Sequence, residues 1–119
     1  MVRLPEGHCI DSTEVTQGQY AAWLGGAPST AGQRSECEWN ESYEPVCDWE
    51  PETKANYPVV CVDWCDAYAY CQGVGKRLCE GRGGGANDWD DYAEASQSQW
   101  HNACVSGGAD NVYLLFRQV

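Results

Sequence analysis

The spacing of apolar residues predicts a first short helix near the N-terminus. These residues recur three and four positions apart, as on one face of a helix, at Tyr20, Trp23 and Leu24. Thr16 followed by Gln19 is a capping box, in which each side chain accepts a hydrogen bond from the other residue's backbone N–H. Gly25 and Gly26 favour a helix end. We therefore expect a helix over residues 17–24.

A second helix is predicted by the same signals further along the chain. Asp63 is a favourable N-cap, and Asp66 completes an acidic variant of the capping box. Apolar positions again recur at helical spacing, at Trp64, Ala67, Tyr68 and Cys71. The helix is expected to end where Gly73 and Gly75 follow this pattern.

A third helix and three short strands complete the predicted elements. Ser96 and Gln99 form a further capping box, and the helix that follows is expected to end at the next pair of glycines. Runs that contain β-branched residues predict strands at 8–15, 58–62 and 112–116. Short elements joined by long loops predict an irregular α+β fold, in a single domain that spans all 119 residues.

Residues 27–57, between the first two helices, are rich in Pro, Ser, Gly and Glu and are predicted to form a loop. A loop of this length in a compact domain is usually functional or held in place by cross-links, and Cys37 and Cys47 are the candidates for such cross-links. Aromatic residues in this loop and in a later one are candidates for stacking on a sugar or docking a partner. The alternative, which we favour, is that they fill the core. These residues are Trp39, Tyr43, Trp49 and Trp89.

The composition indicates a thin aliphatic core. Ile, Leu, Val and Phe number only 17 in the chain, and with a net charge of −11 such a composition is typical of disorder. Six Trp and seven Tyr residues supply large apolar surfaces instead, and eight Cys residues supply cross-links. The chain is therefore expected to be folded and to depend on oxidation.

The even number of cysteines favours full disulfide pairing and an extracytoplasmic, secreted or cell-surface location. Zinc binding is the competing interpretation, but the sequence contains no Cys-x-x-Cys pair. The disulfide candidates are Cys9, Cys37, Cys47, Cys61, Cys65, Cys71, Cys79 and Cys104.

The excess of acidic residues limits the classes of partner that the chain is expected to bind. Asp and Glu total 18 against seven Lys and Arg, and the resulting field repels nucleic acids and anionic membranes. No apolar run is long enough to span a bilayer. An acidic cluster offers oxygen ligands to calcium, although its spacing is not that of an EF-hand loop and a solvated acidic face is favoured. The cluster consists of Asn87, Asp88, Asp90, Asp91 and Glu94.

Three blocks of the sequence resemble, in order, the formylglycine-generating enzyme, or sulfatase-modifying-factor, family. Residues 9–24 are similar to the family pattern iDxxEVTnxqYaxFl, and residues 57–78 resemble hPVvxVsWxdAxaYcxWaGkRL. Residues 96–108 resemble TEAEWEyAaRGG, displaced by an inserted glycine-rich loop as in a cysteine-rich bacterial branch. The chain is identified as a member of this family over about residues 2–108.

The resemblance implies a C-type-lectin-like fold that disulfides hold together. Gly73 and Val74 stand where the family usually has Trp and Ala, and Cys79 replaces a usual Pro. The family's C-terminal motifs GNvxEW and RvxRGGSW do not occur in the sequence. Those motifs accompany the calcium ligands and the copper-binding cysteine pair of the enzymes. The resemblance thus implies a truncated domain without the catalytic half.

The resemblance also bears on disulfide pairing. It favours Cys47 with Cys61, because related sequences that lack one tend to lack the other. It favours Cys79 with Cys104, which would brace the inserted loop. The other two bridges would use Cys9, Cys37, Cys65 and Cys71.

Three functions remain as hypotheses. We favour a non-catalytic extracytoplasmic binding or structural module, with no cofactor and with a protein or a second copy of the chain as partner. The alternatives are a fragment of a copper-dependent formylglycine-generating oxidase that acts on protein cysteine, and a glycan-binding lectin-like domain. A C-terminal strand with an apolar edge predicts self-assembly, through Val112, Tyr113, Leu114, Leu115 and Phe116.

Overall fold

The computed structural model describes residues 1–3, 9–82, 85–94 and 96–104. It divides the chain into two compact units. The central unit is Glu14–Leu78, and the terminal unit comprises Met1–Thr13 and the chain from Cys79 onward. Helices and strands both occur, which confirms a small mixed helix and strand structure. The C-type-lectin-like arrangement and the single-domain organisation stay predictions.

Helix α1 of the central unit is Gln17–Gly25, and its capping box is confirmed. The N–H of Gln19 donates to Thr16 Oγ1 at 3.2 Å, and the N–H of Thr16 donates to Gln19 Oε1 at 2.9 Å. Gly26 follows as C-cap. Because these bonds join residues three positions apart, the local sequence was sufficient to place the helix start.

Helix α2 is Trp64–Gly73, again with its capping box confirmed. The N–H of Asp66 donates to Asp63 Oδ1 at 3.0 Å, and the N–H of Asp63 donates to Asp66 Oδ2 at 3.1 Å. The chain leaves the helix through Gly75, whose φ of +74° lies in the left-handed region that glycine adopts without strain.

Aromatic rings fill the core of the central unit. Tyr20 of α1 is only 1% exposed and stacks on Tyr70 of α2, with 5.3 Å between ring centres. Trp23 meets Tyr20 edge-on at 5.1 Å, and Trp49 does so from the loop at 5.9 Å. Each such side chain buries on the order of 150–250 Å². The aromatic residues therefore supply the apolar contact area that the few aliphatic residues cannot.

The strand predicted at 58–62 is wrong. Pro58 forms an isolated antiparallel bridge with Thr16, and the N–H of Val59 donates to Val15 O at 2.9 Å. The run is then interrupted by Cys61, whose φ of +60° is incompatible with an extended strand. The β-branched residues predicted the extended start of this segment but not the turn that ends it.

Two cysteine pairs join the long loop to the second half of the central unit. Cys37, at the end of the 3₁₀ turn Ser35–Cys37, pairs with Cys65 of α2, and their Cα atoms are 5.7 Å apart. Cys47 pairs with Cys61, with 5.5 Å between Cα atoms. The second pair agrees with the preference drawn from the resemblance. Each cysteine of the long loop is thus paired with a cysteine outside the loop, as the length of the loop led us to expect.

The terminal unit contains a two-stranded antiparallel ribbon. β1 is Val2–Arg3 and β2 is Cys9–Ile10, with Arg3 opposite Cys9. The strand predicted over 8–15 is thus regular over two of its described residues. A 3₁₀ turn follows at Trp89–Asp91.

Helix α3 is Gln99–Cys104, and the prediction of Ser96 as its cap is wrong by two residues. Ser98 takes that place, and its Oγ accepts from the N–H of His101 at 3.2 Å. Ser98 is held there by an isolated bridge to Gly81, a pairing distant in sequence that the local pattern does not encode. The expected end of this helix and the strand at 112–116 lie outside the described residues.

Candidate functional site

The central unit contains an open groove of about 240 Å³. We call it the Arg34 groove. Its walls include Trp23 from α1, Tyr68 and Gly73 from α2, and Arg34 from the loop between the helices. The paired Cys37 and Cys65 also line it, so a cross-link lies in the wall itself.

Arg34 directly precedes the 3₁₀ turn Ser35–Cys37 and lies over two stacked rings. Its guanidinium carbon is 5.6 Å from the ring centre of Trp64 and 5.1 Å from that of Tyr68. The two rings stack at 5.0 Å, because they are four residues apart on α2. The ring faces attract the cation and hold it beside the groove.

The guanidinium retains unused hydrogen-bonding capacity. Its Nε lies 3.5 Å from Glu36 Oε2, in an exposed ion pair. Its two terminal nitrogens have no hydrogen-bond acceptor in the part of the chain that the structure describes. Arg34 is also the one charged side chain among the residues that line the groove. The groove thus offers a positively charged donor that a ligand can reach.

Trp23 forms an apolar wall of the groove, in contrast to the charged Arg34. Its ring packs on Tyr43 at 5.2 Å and on Tyr70 at 5.5 Å, which fixes its position in the core. Its Nε1 lies against the backbone of Gly73, and both residues line the groove. Within the described residues the Nε1–H has no acceptor. Trp23 therefore contributes a rigid apolar wall with one unused donor.

Two amide side chains add polar groups to the lining. Gln33 Nε2 donates to Thr30 O at 3.0 Å and to Asn40 O at 2.7 Å. Gln33 Oε1 is buried and, among the described residues, has no hydrogen-bond partner. Gln72 Nε2 donates to the hydroxyl of Tyr68 at 2.8 Å. That hydroxyl keeps its own proton as a donor.

A buried polar cluster supports the groove from the core side. Asn40 Nδ2 donates to Asp66 Oδ1 at 2.8 Å, and the hydroxyl of Tyr20 donates to Tyr43 O at 2.7 Å. Burial raises the pKa of the Asp66 carboxyl above its ordinary value, against the opposing effect of the Asn40 hydrogen bond. Burial and the nearby Asp66 also raise the pKa of Tyr20 well above its usual range. The cluster ties α1, α2 and the loop together.

The four aromatic residues named as ligand-contact candidates lie in different environments. Tyr43 is buried and lines the Arg34 groove, and Trp49 packs into the aromatic core. Trp39 is 63% exposed and Trp89 is 89% exposed, so the interpretation that these two residues fill the core is wrong. The structure does not bring the four together, and their role in binding stays a prediction.

The remaining candidate residues are only partly described. Cys9 is exposed, Cys71 lies on α2, and the side chain of Cys104 lies outside the described residues. The pairing of Cys79 with Cys104 therefore stays a prediction. The predicted assembly edge lies outside the described residues as well, at Val112, Tyr113, Leu114, Leu115 and Phe116.

Two further properties of the described residues bear on cofactors and membranes. No three His, Cys, Asp or Glu side chains among them are grouped closely enough to hold a metal ion. The acidic residues 87–94 are included in this result, and the absence of a cofactor stays a prediction. No helix in the described part has the length and apolar character that crossing a bilayer requires.

Sequence reasoning missed most of the Arg34 groove. Trp23 and Tyr68 were recognised only as apolar helix positions, and Arg34 was not recognised at all. A lone arginine in an acidic, aromatic-rich loop is the one signal that points to it, and that signal is weak. The groove depends on contacts between residues more than 30 positions apart, such as Arg34 with Tyr68.

The family was decided by comparison with known proteins. The family model described as "Sulfatase-modifying factor enzyme 1-like domain" matches residues 1–118. The chain belongs to this family. Comparison with curated proteins and with solved structures gives no match. In this sulfatase-modifying-factor domain the first family block supplies Trp23, the second supplies Tyr68 and Gly73, and the intervening loop supplies Arg34.

Proposed function

We propose that this sulfatase-modifying-factor domain is a non-catalytic binding module of an extracytoplasmic protein, and that its ligand occupies the Arg34 groove. The observation that carries the proposal is the lining of that groove. Rigid aromatic walls and a small number of unused polar groups are typical of small-molecule sites. Arg34, Trp23 and Tyr68 supply those polar groups.

The chemistry of the lining supports binding rather than catalysis. Its polar side chains are amides, hydroxyls and one guanidinium, which orient a ligand. Carboxylate and imidazole groups, the usual side chains for proton transfer, do not occur among the lining residues. The lining cysteines Cys37 and Cys65 form a pair with each other. Binding is therefore the function that these side chains perform best.

The cysteine pairs support the location. Two pairs at disulfide distance are consistent with an extracytoplasmic compartment, because reducing compartments keep most thiols free. Because the paired Cys37 and Cys65 line the groove, ligand binding is expected to depend on the oxidation of these two cysteines. Reduction would release the loop that carries Arg34 from α2, and we expect it to weaken binding.

The test is a ligand titration of the oxidised, ¹⁵N-labelled chain with a panel of neutral and acidic monosaccharides and aromatic acids. We expect at least one compound to shift the indole N–H signal of Trp23 in a saturable manner. Ala69→Phe places a large ring in the groove lining and should abolish the shift. Ala22→Phe is the matched control, since Ala22 is exposed on α1 and does not line the groove.

Two results would contradict the proposal. One is that no compound in the panel shifts the Trp23 signal at millimolar concentration. The other is that A69F and A22F bind equally well. Thermal midpoints of both variants are measured in parallel, so that a loss of fold is recognised separately from a blocked groove.

A further inference from the structure

We infer that the Arg34 groove recognises an acidic sugar, in which a ring carboxylate, as in a uronic acid, is bound by Arg34. This inference rests on the proposed function, because it names the ligand of the same groove. Its occupant is one uronic-acid residue of a glycan. The charge of the lining, the unused donors and the size of the groove each favour this ligand.

The charge of the lining is opposite to that of the chain. The net charge of the chain is −11, yet the one charged side chain in the groove lining is a cation. Its ion pair with Glu36 uses Nε, on one edge of the guanidinium. The two terminal nitrogens remain available to a second carboxylate, which arginine binds in a bidentate geometry. A ligand carboxylate would thus find both charge complementarity and a preformed pair of donors.

The other polar groups match the rest of a sugar. The Nε1–H of Trp23 and the hydroxyl proton of Tyr68 are donors in the lining, and sugar oxygens are acceptors. The hydroxyl and ring oxygens of a sugar can accept from both donors. A simple aromatic acid has a carboxylate but no such oxygens, and it would leave both donors without an acceptor.

The size and shape of the groove favour a single ring. Its volume of about 240 Å³ lies below the range of roughly 300–1,000 Å³ typical of sites for drug-sized ligands. The ring of Tyr68 is held in a stack with Trp64 and is partly exposed. Because Trp64 and the Arg34 guanidinium already lie against the Tyr68 ring, the apolar surface left for a pyranose is the wall formed by Trp23, and polar groups at the rim bind its oxygens.

The experiment compares two probes that differ only in the carboxylate. Methyl glucuronide and methyl glucoside are titrated into the oxidised chain, and the Trp23 indole signal is followed. We expect methyl glucuronide to bind more tightly by about tenfold or more, the contribution of a charge-assisted hydrogen bond. Benzoate, at the same concentrations, serves as a probe with a carboxylate but no hydroxyl. It is expected to bind more weakly than methyl glucuronide.

Arg34→Gln should reduce the affinity for methyl glucuronide about tenfold and leave that for methyl glucoside unchanged. Arg77→Gln is the matched control. It makes the same change in net charge, and Arg77 is exposed and does not line the groove. R77Q should bind as the unmodified chain does. The comparison of probes on the unmodified chain does not depend on either variant, so the inference stays falsifiable if R34Q fails to fold.

Each contrary outcome separates this inference from the proposed function. Equal binding of the two methyl glycosides, with no effect of R34Q, would overturn the role of the carboxylate and leave a binding module. Tighter binding of benzoate would overturn the sugar and retain the anion. If only other members of the panel shift the Trp23 signal, the acidic sugar is wrong. If none does, the proposed function is contradicted as well.

Discussion

The indole Nε1 of Trp23 lies directly against the backbone of Gly73, so that a side chain at position 73 would overlap the ring. In the family pattern that the sequence resembles, position 73 is usually Trp and position 23 is Phe. Here the larger ring is on α1 and the residue without a side chain is on α2. The absence of a side chain at position 73 makes room for the Trp23 ring, and both residues line the Arg34 groove.

This contact predicts a penalty for Gly73→Ala. A new Cβ would overlap the Trp23 ring, which the aromatic core holds on its other side. We expect the free energy of unfolding to decrease by about 1–3 kcal/mol, the usual cost of overpacking. Urea denaturation followed by tryptophan fluorescence measures the change. The Trp23 indole signal should also shift.

Gly25→Ala is the matched control for this substitution. Gly25 is the last residue of α1, as Gly73 is of α2, and a Cβ there would meet no atom within 4 Å. We expect G25A to be neutral or to stabilise by up to about 1 kcal/mol, because alanine favours the helix. Equal effects of G73A and G25A would show that the contact with Trp23 is unimportant.

Gln17 predicts a second stability effect that its sequence position does not suggest. Its side chain is 1% exposed, and its Nε2 donates to Asp48 O at 2.9 Å. Its Oε1 accepts from the N–H of Glu50 at 2.9 Å. Gln17→Met keeps the length but leaves both backbone groups unpaired. We expect a loss of about 1–3 kcal/mol in the free energy of unfolding.

Gln72→Ala is the control for the loss of an amide. The amide of Gln72 binds the Tyr68 hydroxyl at an exposed position. Its removal should change the free energy of unfolding by less than about 0.5 kcal/mol, as is usual at the surface. A Q17M variant as stable as Q72A would mean that loop residues 48–50 do not depend on Gln17.

The buried Asp66 predicts a specific pH dependence. Burial raises the pKa of its carboxyl in the folded chain, so protonation favours the folded state. Its contribution to stability is therefore fully present below the ordinary pKa of an aspartate and is lost as the pH rises through the raised pKa. The free energy of unfolding of the wild type minus that of Asp66→Asn should decrease with pH over that window.

The measurement is urea denaturation of both proteins at intervals above about pH 4, the ordinary pKa of an aspartate. Asp66→Asn is neutral at every pH and keeps an acceptor for Asn40 or for the backbone of Asp63. The difference between the two proteins isolates the titration of this one group. A difference that increases with pH would reverse the assigned direction of the pKa shift.

The two cysteine pairs are expected to contribute unequally to the free energy of unfolding. Cys37 and Cys65 are separated by 28 positions, and Cys47 and Cys61 by 14. Replacing either pair by alanine should cost about 3–4 kcal/mol, with the longer loop costing about 0.6 kcal/mol more. Non-reducing peptide mapping should first recover these two links. A link between Cys37 and Cys47 would contradict the structure.

Local hydrogen bonding explains which elements the sequence predicted correctly. The starts of α1 and α2 depend on capping boxes whose partners are three residues apart, so the pattern contains the whole interaction. The start of α3 was wrong because Ser98 is positioned by a bridge to Gly81, 17 residues earlier. The strand at 58–62 was wrong because Cys61 turns where it pairs with Cys47.

By itself the sequence determined the family, the two longer helices and the aromatic core. These features follow from residue types and from spacings of a few positions. Interactions between residues so close in sequence form with little contribution from the rest of the fold. Only the tertiary structure decided the pairing of Cys37 with Cys65 and the joining of Arg34, Tyr68 and Trp23 in one groove. Such contacts join residues that are distant in sequence, and their selection depends on packing of the whole unit.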